Sequence, residues 1–246
     1  MQPFKDKIAF ITGGGSGMGA ATAKLLAERG AKVAIFGRRK EKLDQVVFEI
    51  EAAGGIAIAI PGDVSIPSDL EKAIKTVVDN FGTLHYAVNN AGMRGYKEKI
   101  ANMTIEQWDQ VIRVNLSSLF YSMKYEIPEI LKAGGAIVNI SSVFADRGGP
   151  TPDYSSAKHA IRGLTRTATI DYGAQGSRVN ELQPGVIDTE MTQADLKGTE
   201  AVAKTGIPLK RISQGEEIAK AVAFLLSEEA SYITGASLAV DGGFLA

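Results

Sequence analysis

The chain has 246 residues, 45% of them hydrophobic and 22% charged, and a formal net charge of −1. This length and balance fit one large α/β domain, and they exclude nucleic acid or an anionic membrane as a bulk electrostatic partner. There is no cysteine, which excludes disulfides, cysteine-held metals and thiol nucleophiles; with only His85 and His159, a histidine-rich metal site is not expected either.

The start, Met1 to Lys7, is charged and runs directly into a strand at Lys7–Thr12. It lacks the basic start and apolar core of an export signal, and no apolar run approaches the ~20 residues of a membrane helix, so the expected compartment is the cytoplasm. A glycine loop follows. Met18–Arg29 reads as a helix with Leu25 and Leu26 on its apolar stripe and Gly30 as its stop. Next come a strand at Lys32–Phe36, a helix at Glu41–Ala53 ended by Gly54-Gly55, a strand at Ile56–Ile60 and a helix from Pro67 to Phe81. The second half repeats the pattern, with strands predicted at Leu84–Val88, Ala136–Ile140, Arg178–Leu182 and Ser237–Val240. The helices between them are predicted at Glu106–Lys132, Pro152–Tyr172 and Glu216–Leu226.

Strand and helix alternate, and the strands are near-continuous apolar runs, as in a parallel sheet covered on both faces. The expected fold is α/β: a Rossmann-like, doubly wound parallel sheet of about seven strands in a single domain, without linker or repeat. Ligands in such sheets sit beyond the carboxyl ends of the strands. Every motif below falls at such an end.

The loop Thr12-Gly13-Gly14-Gly15-Ser16-Gly17-Met18-Gly19 leaves a strand and opens a helix. Glycines let backbone approach a pyrophosphate, and the helix start offers free N–H groups. The spacing is not the plain G-x-G-x-x-G, and a tight turn without ligand would also use these residues. Far downstream, Tyr154 and Lys158 stand four apart, on one face of a helix. An ammonium beside a phenol favours the phenolate and so holds the phenol in a more acidic range. Such a pair suits proton donation to a carbonyl that receives hydride, whose oxygen gathers negative charge.

Thr12-Gly-x-x-x-Gly17-x-Gly19, Asn89-Asn90-Ala91-Gly92, Asn115, Ser142, Tyr154-x-x-x-Lys158, Pro184-Gly185 and Val240-Asp241-Gly242-Gly243 stand in the order of the short-chain dehydrogenase/reductase family. The chain resembles that family along its whole length. The resemblance implies a nicotinamide cofactor bound by Gly13, Ser16, Gly17, Met18, Gly19, Asp63, Val64, Asn90, Pro184, Gly185, Ile187 and Thr189. Tyr154 and Lys158 would also touch it. As catalytic residues it implies Tyr154 as proton donor and Lys158 as its pKa-lowering partner. Ser142, with Ser141 as neighbour, would donate to the substrate oxygen, and Asn115 would hold a water in the proton relay. Taken singly, each of these has a plainer reading as packing, surface, turn or cap. Asp63 could equally cap a turn.

An acidic residue at the end of the second strand binds the ribose hydroxyls of NAD. Here Gly37 stands there, followed by Arg38-Arg39-Lys40, which suits the 2′-phosphate of NADP. The expected cofactor is therefore NADP(H), and the expected substrate is a small ketone or its secondary alcohol. Alternatives are 3-oxoacyl-carrier-protein reduction, or a non-catalytic nucleotide sensor. The pocket is expected to have an apolar wall of Phe144, Val186 and Met191 and a mixed rim of Arg94, Asp146, Arg147 and Asp153. A covering loop is expected at about 188–210. The resemblance also implies a homotetramer, to which Leu119, Phe120, Met123, Ile161 and Leu164 would contribute. Glu181, a carboxylate in a buried strand, needs a partner that the sequence does not name.

Overall fold

The computed structural model describes residues 3–246, and the expectation resting on Met1 and Gln2 lies outside them. The strands are β1 (Ile8–Thr12), β2 (Lys32–Gly37), β3 (Ile56–Pro61), β4 (Tyr86–Asn89), β5 (Ala136–Ile140), β6 (Arg178–Pro184) and β7 (Ser237–Val240). They form one sheet in the order β3-β2-β1-β4-β5-β6-β7, every pair parallel. The helices are α1 (Gly17–Glu28), α2 (Lys40–Ala52), α3 (Pro67–Phe81), α4 (Ile105–Ile112), α5 (Ser118–Ala133), α6 (Pro152–Tyr172), α7 (Glu190–Gln193), α8 (Leu196–Gly206) and α9 (Gly215–Leu226).

The pleat explains why the strands carry apolar residues without alternation. In β1, Ala9 and Ile11 pack with Leu26, Leu43, Ile218 and Val222 of α1, α2 and α9. Ile8 and Phe10 point the other way, into Leu70, Ile74, Leu119, Met123 and Ile161 of α3, α5 and α6. Strand β2 divides likewise, Val33 and Ile35 to one face and Ala34 and Phe36 to the other. Each face of the sheet therefore has its own core, and successive residues must both be apolar. The chain runs from β1 outward to β2 and β3, then crosses back to place β4 on the other side of β1. That reversal opens a crevice at the carboxyl ends of β1 and β4, where open α/β sheets bind ligands.

Four stretches differ from the sequence-based reading, one of them the loop expected at about 188–210, which carries α7 and α8. The helix expected over 106–132 is broken: α4 ends at Ile112, residues Arg113–Ser117 form a π-helical turn, and α5 begins at Ser118. Asn115 sits in that turn, its Nδ2 donating to the Val111 carbonyl at 3.1 Å and its Oδ1 accepting from the Met93 amide at 3.1 Å. A side chain inserted into the helical ladder is an ordinary cause of such a turn. Strand β4 starts at Tyr86 instead of Leu84, because the Ile8 amide donates to His85 Nδ1 at 3.1 Å and not to a strand carbonyl. Burial, with the nearby Lys7 charge, holds the His85 pKa below its usual value and keeps the ring an acceptor. Strand β6 runs on to Pro184 because β7 pairs with it from Glu181↔Ser237 to Pro184↔Val240. Among the described residues no helix is long and apolar enough to cross a membrane.

Candidate active site

A cleft of about 400 Å³ lies over the carboxyl ends of β1, β4 and β5. Thr12 ties its floor together. Its hydroxyl accepts from the Asn90 and Ala91 amides at 3.0 and 3.1 Å, while Asn90 Nδ2 donates back to the Thr12 carbonyl at 3.0 Å. Gly13 follows at φ +68°, and a Cβ there would stand 2.8 Å from Asn90 Nδ2, so the turn needs glycine for both conformation and space. A methyl on Gly19 would overlap the Gly13 carbonyl. Ser16 precedes α1 and caps none of its first amides with its side chain, which leaves N–H groups at the helix start free for an anion. An uncapped helix start above a floor that a Cβ would fill fits the pyrophosphate of a dinucleotide.

Gly13, Ser16, Gly17, Met18, Arg38, Arg39, Asp63, Val64, Asn90 and Thr189 line this cleft, together with Asn115, Tyr154 and Lys158. Asp63 lines it while also forming a turn, its Oδ1 accepting from the Ser65 amide at 2.8 Å. Other expected residues stand behind the wall. Gly19 serves the close contact of α1 with the glycine loop just described. Pro184 ends β6, and Gly185 abuts Asp241, with its amide donating to Val240 O at 3.0 Å. Ile187 is buried, and its carbonyl accepts from Thr192 Oγ1 at 2.6 Å.

At the far end, α6 presents Tyr154 and Lys158 on one face. Asp153, expected on the rim, is instead fully buried. It accepts from the amides of Tyr154 at 2.7 Å and Tyr96 at 3.0 Å, and so fixes the start of α6 against the segment after β4. Phe144 packs edge-on against the Tyr154 ring at 6.5 Å. Ser142 caps the short 3-10 turn Val143–Ala145, its hydroxyl accepting from the Phe144 amide at 3.2 Å. Ser141 Oγ donates to the Lys158 carbonyl at 3.1 Å.

Lys158 does not hydrogen-bond to Tyr154. Its Nζ donates to the Ile140 carbonyl at 2.9 Å and lies 5.4 Å from the centre of the Tyr154 ring. Burial brings the Lys158 pKa down to about 8, against an upward pull from Glu181. The expected acidic phenol is corrected as well: burial raises the Tyr154 pKa, and the Ser142 hydroxyl only partly counters it.

The family profile described as enoyl-(acyl carrier protein) reductase matches residues 13–245. Cyclohexanol dehydrogenase of Acinetobacter sp. (strain SE19) is 43% identical over 98% of this chain and 96% of its own. This chain belongs to the short-chain dehydrogenase/reductase family. It is an oxidoreductase of secondary alcohols and ketones that works with a nicotinamide cofactor. Another short-chain dehydrogenase, cis-4-hydroxycyclohexanecarboxylate dehydrogenase of Sinomonas cyclohexanicum, is 38% identical over 100% of this chain and 99% of its own. The crystal structure of levodione reductase superposes with a TM-score of 0.93 at 34% identity, covering 98% of both chains.

Several cleft residues of this dehydrogenase carry no motif signal. Gln110 reaches the cleft from α4 and accepts from the Tyr96 hydroxyl at 2.7 Å. Lys42 and Glu190 meet at the other end, beside Arg39. The Arg39 hydrogen bond, with Lys42 nearby, holds the Glu190 carboxyl below the usual carboxylate range. A single Gln, Lys or Glu has no spacing to betray it. Of the other rim residues, Asp146 pairs with Arg162 at 2.5 Å, and Arg147 lies 4.9 Å over the Phe244 ring. Val186 lines a separate small cavity with Ile207 and Leu209, and Phe144 backs Tyr154 without lining the cleft, so the expected apolar wall reduces to Met191.

Proposed function

We propose that the protein is an NADP(H)-dependent ketone reductase, reversible as an alcohol dehydrogenase, with Tyr154 as its proton donor. The observation that supports the reaction is the placement of Tyr154 and Lys158 at one end of a cleft whose other end is an uncapped helix start; Ser142 does not line the cleft and stands behind it with its hydroxyl toward Tyr154. A nicotinamide cofactor held along the cleft supplies or accepts the hydride. Tyr154 gives its phenolic proton to the oxygen of the forming alcohol. Ser142 donates a hydrogen bond to that oxygen, and the Lys158 ammonium stabilises the phenolate left behind. Asn115 takes part through the shape of the π-turn that its side chain holds.

Gly37 and Arg38 support NADP over NAD. No carboxylate stands at the end of β2, while Arg38, Arg39 and Lys42 line that end of the cleft. A charge-assisted contact to a phosphate is worth about 1.5–3 kcal/mol, which predicts a preference of about tenfold or more. The relatives named for cyclic alcohols support a six-membered cyclic secondary alcohol, or its ketone, as substrate. We further propose that the segment 188–210 covers the pocket and that the active form is a homotetramer.

The test is a spectrophotometric comparison of NADPH and NADH on cyclohexanone and related ketones. The expected result is a higher kcat/KM with NADPH, reversed in the double variant Gly37→Asp, Arg38→Leu. A wild type that favours NADH would overturn the cofactor assignment.

A further inference from the structure

The segment 188–210 meets the nucleotide end of the cleft at one charged point. Glu190, the first residue of α7, places Oε2 2.8 Å from Arg39 Nη2 and Oε1 3.7 Å from Lys42 Nζ. The same Arg39 nitrogen donates to Ser16 Oγ at 3.1 Å. One guanidinium thus joins the corner after β2, the glycine loop and α7. Arg38 lines the same end and makes no hydrogen bond or ion pair among the described residues. These side chains are about half exposed, 50% for Arg39 and Lys42 and 53% for Glu190, so their pairing is open to exchange with a ligand.

We infer that Glu190 is a specificity-determining residue: its carboxylate holds the two cations that a ribose 2′-phosphate needs, so the phosphate must compete for Arg39 and Lys42. The inference rests on the NADP reading above. A second anion brought to these cations meets the Glu190 charge at short range, where like charges repel most. A ribose carrying only hydroxyls brings no charge and leaves the Arg39–Glu190 pair intact. Arg38 gives the phosphate a first hold before Glu190 yields. Glu190 therefore acts against NADP selectively, and it tempers the preference that Gly37 and Arg38 create. The glutamate lies more than 150 residues from the β2 corner in the chain and belongs to no nucleotide motif.

The test is a calorimetric titration of 2′,5′-ADP and 5′-AMP, which differ only in the 2′-phosphate, into the wild type and Glu190→Gln. Both probes lack the nicotinamide, so the readout is independent of turnover. An exposed ion pair is worth up to about 1 kcal/mol, so Glu190→Gln is expected to bind 2′,5′-ADP about threefold to fivefold more tightly and 5′-AMP as before. If 2′,5′-ADP is unchanged in the variant while the wild type still prefers it to 5′-AMP, Glu190 does not compete, and the NADP reading stands. Equal tightening of both probes also overturns the inference, since it makes Glu190 a general barrier. A wild type that binds the two probes equally overturns the NADP reading and this inference together.

Discussion

Glu181 sits in the middle of β6 with no exposed surface. Its partners come from three directions. Arg162 Nε on α6 donates to Oε2 at 3.2 Å, Ser237 Oγ on β7 to the same oxygen at 2.6 Å, and Gln183 Nε2 to Oε1 at 3.1 Å. Arg162 in turn reaches Asp146, so two carboxylates share one guanidinium beside the catalytic end of α6. A buried charge left without its partner is costly, whereas removing both partners is tolerated. Arg162→Met is therefore expected to lower stability by about 3 kcal/mol, and adding Glu181→Gln should recover most of that loss. Urea denaturation of the two variants checks this; a single variant within 1 kcal/mol of wild type would show that Ser237 and Gln183 suffice. The Glu181 charge also reaches Lys158, whose pKa it pulls upward against burial. Only the Gln183 contact lies within β6; Arg162 and Ser237 lie far away in sequence and meet Glu181 only through the packing of α6 and the register of β7.

At the level of elements, the sequence was most legible where a local rule decides. Pro67 starts α3, and Gly82, at φ +87°, ends it in the left-handed conformation. Strands β1, β2 and β5 are mostly apolar, without alternation, because helices cover both faces. Legibility failed where a distant group intervenes. The π-turn at Arg113–Ser117 needs the Met93 amide, brought in from the segment after β4, and a continuous apolar periodicity across 106–132 hides it. Asn115→Ala removes the acceptor for Met93 and the donor to Val111. A buried group left unpaired costs about 1–3 kcal/mol, so this variant is expected to lose that much stability. It should also lose turnover as the turn relaxes toward α-helix. Wild-type values for both unfolding midpoint and kcat would show that the turn forms without the carboxamide. The glycine loop and the Tyr154–Lys158 spacing were readable because backbone conformation and helical period fix them. The aim of Lys158 Nζ at the Ile140 carbonyl was not, since it depends on where β5 ends relative to α6.

For the whole molecule, the proposed tetramer draws less support from the helices than their composition implies. Leu119, Met123 and Ile161 are buried in the chain's own core, and Leu164 is partly buried against it. Phe120 on α5 and Ile170 on α6 remain 49% and 82% exposed and are the large apolar residues that these two helices offer to a second copy. Multi-angle light scattering is expected to give four times the 26.1 kDa chain mass, and Phe120→Lys should lower it. A mass equal to one chain at micromolar concentration would contradict the proposal. The central claim joins every part of the fold: β1 and α1 hold one end of a nicotinamide dinucleotide, and α6 delivers a proton at the other. It is tested most directly by Tyr154→Phe, which keeps the ring packed on Phe144 and removes only the hydroxyl. Turnover of a cyclic ketone should fall by at least ~10², while NADPH affinity measured by fluorescence stays near that of the wild type. Near-normal turnover by this variant would contradict the account, because the proton would then come from a group other than Tyr154.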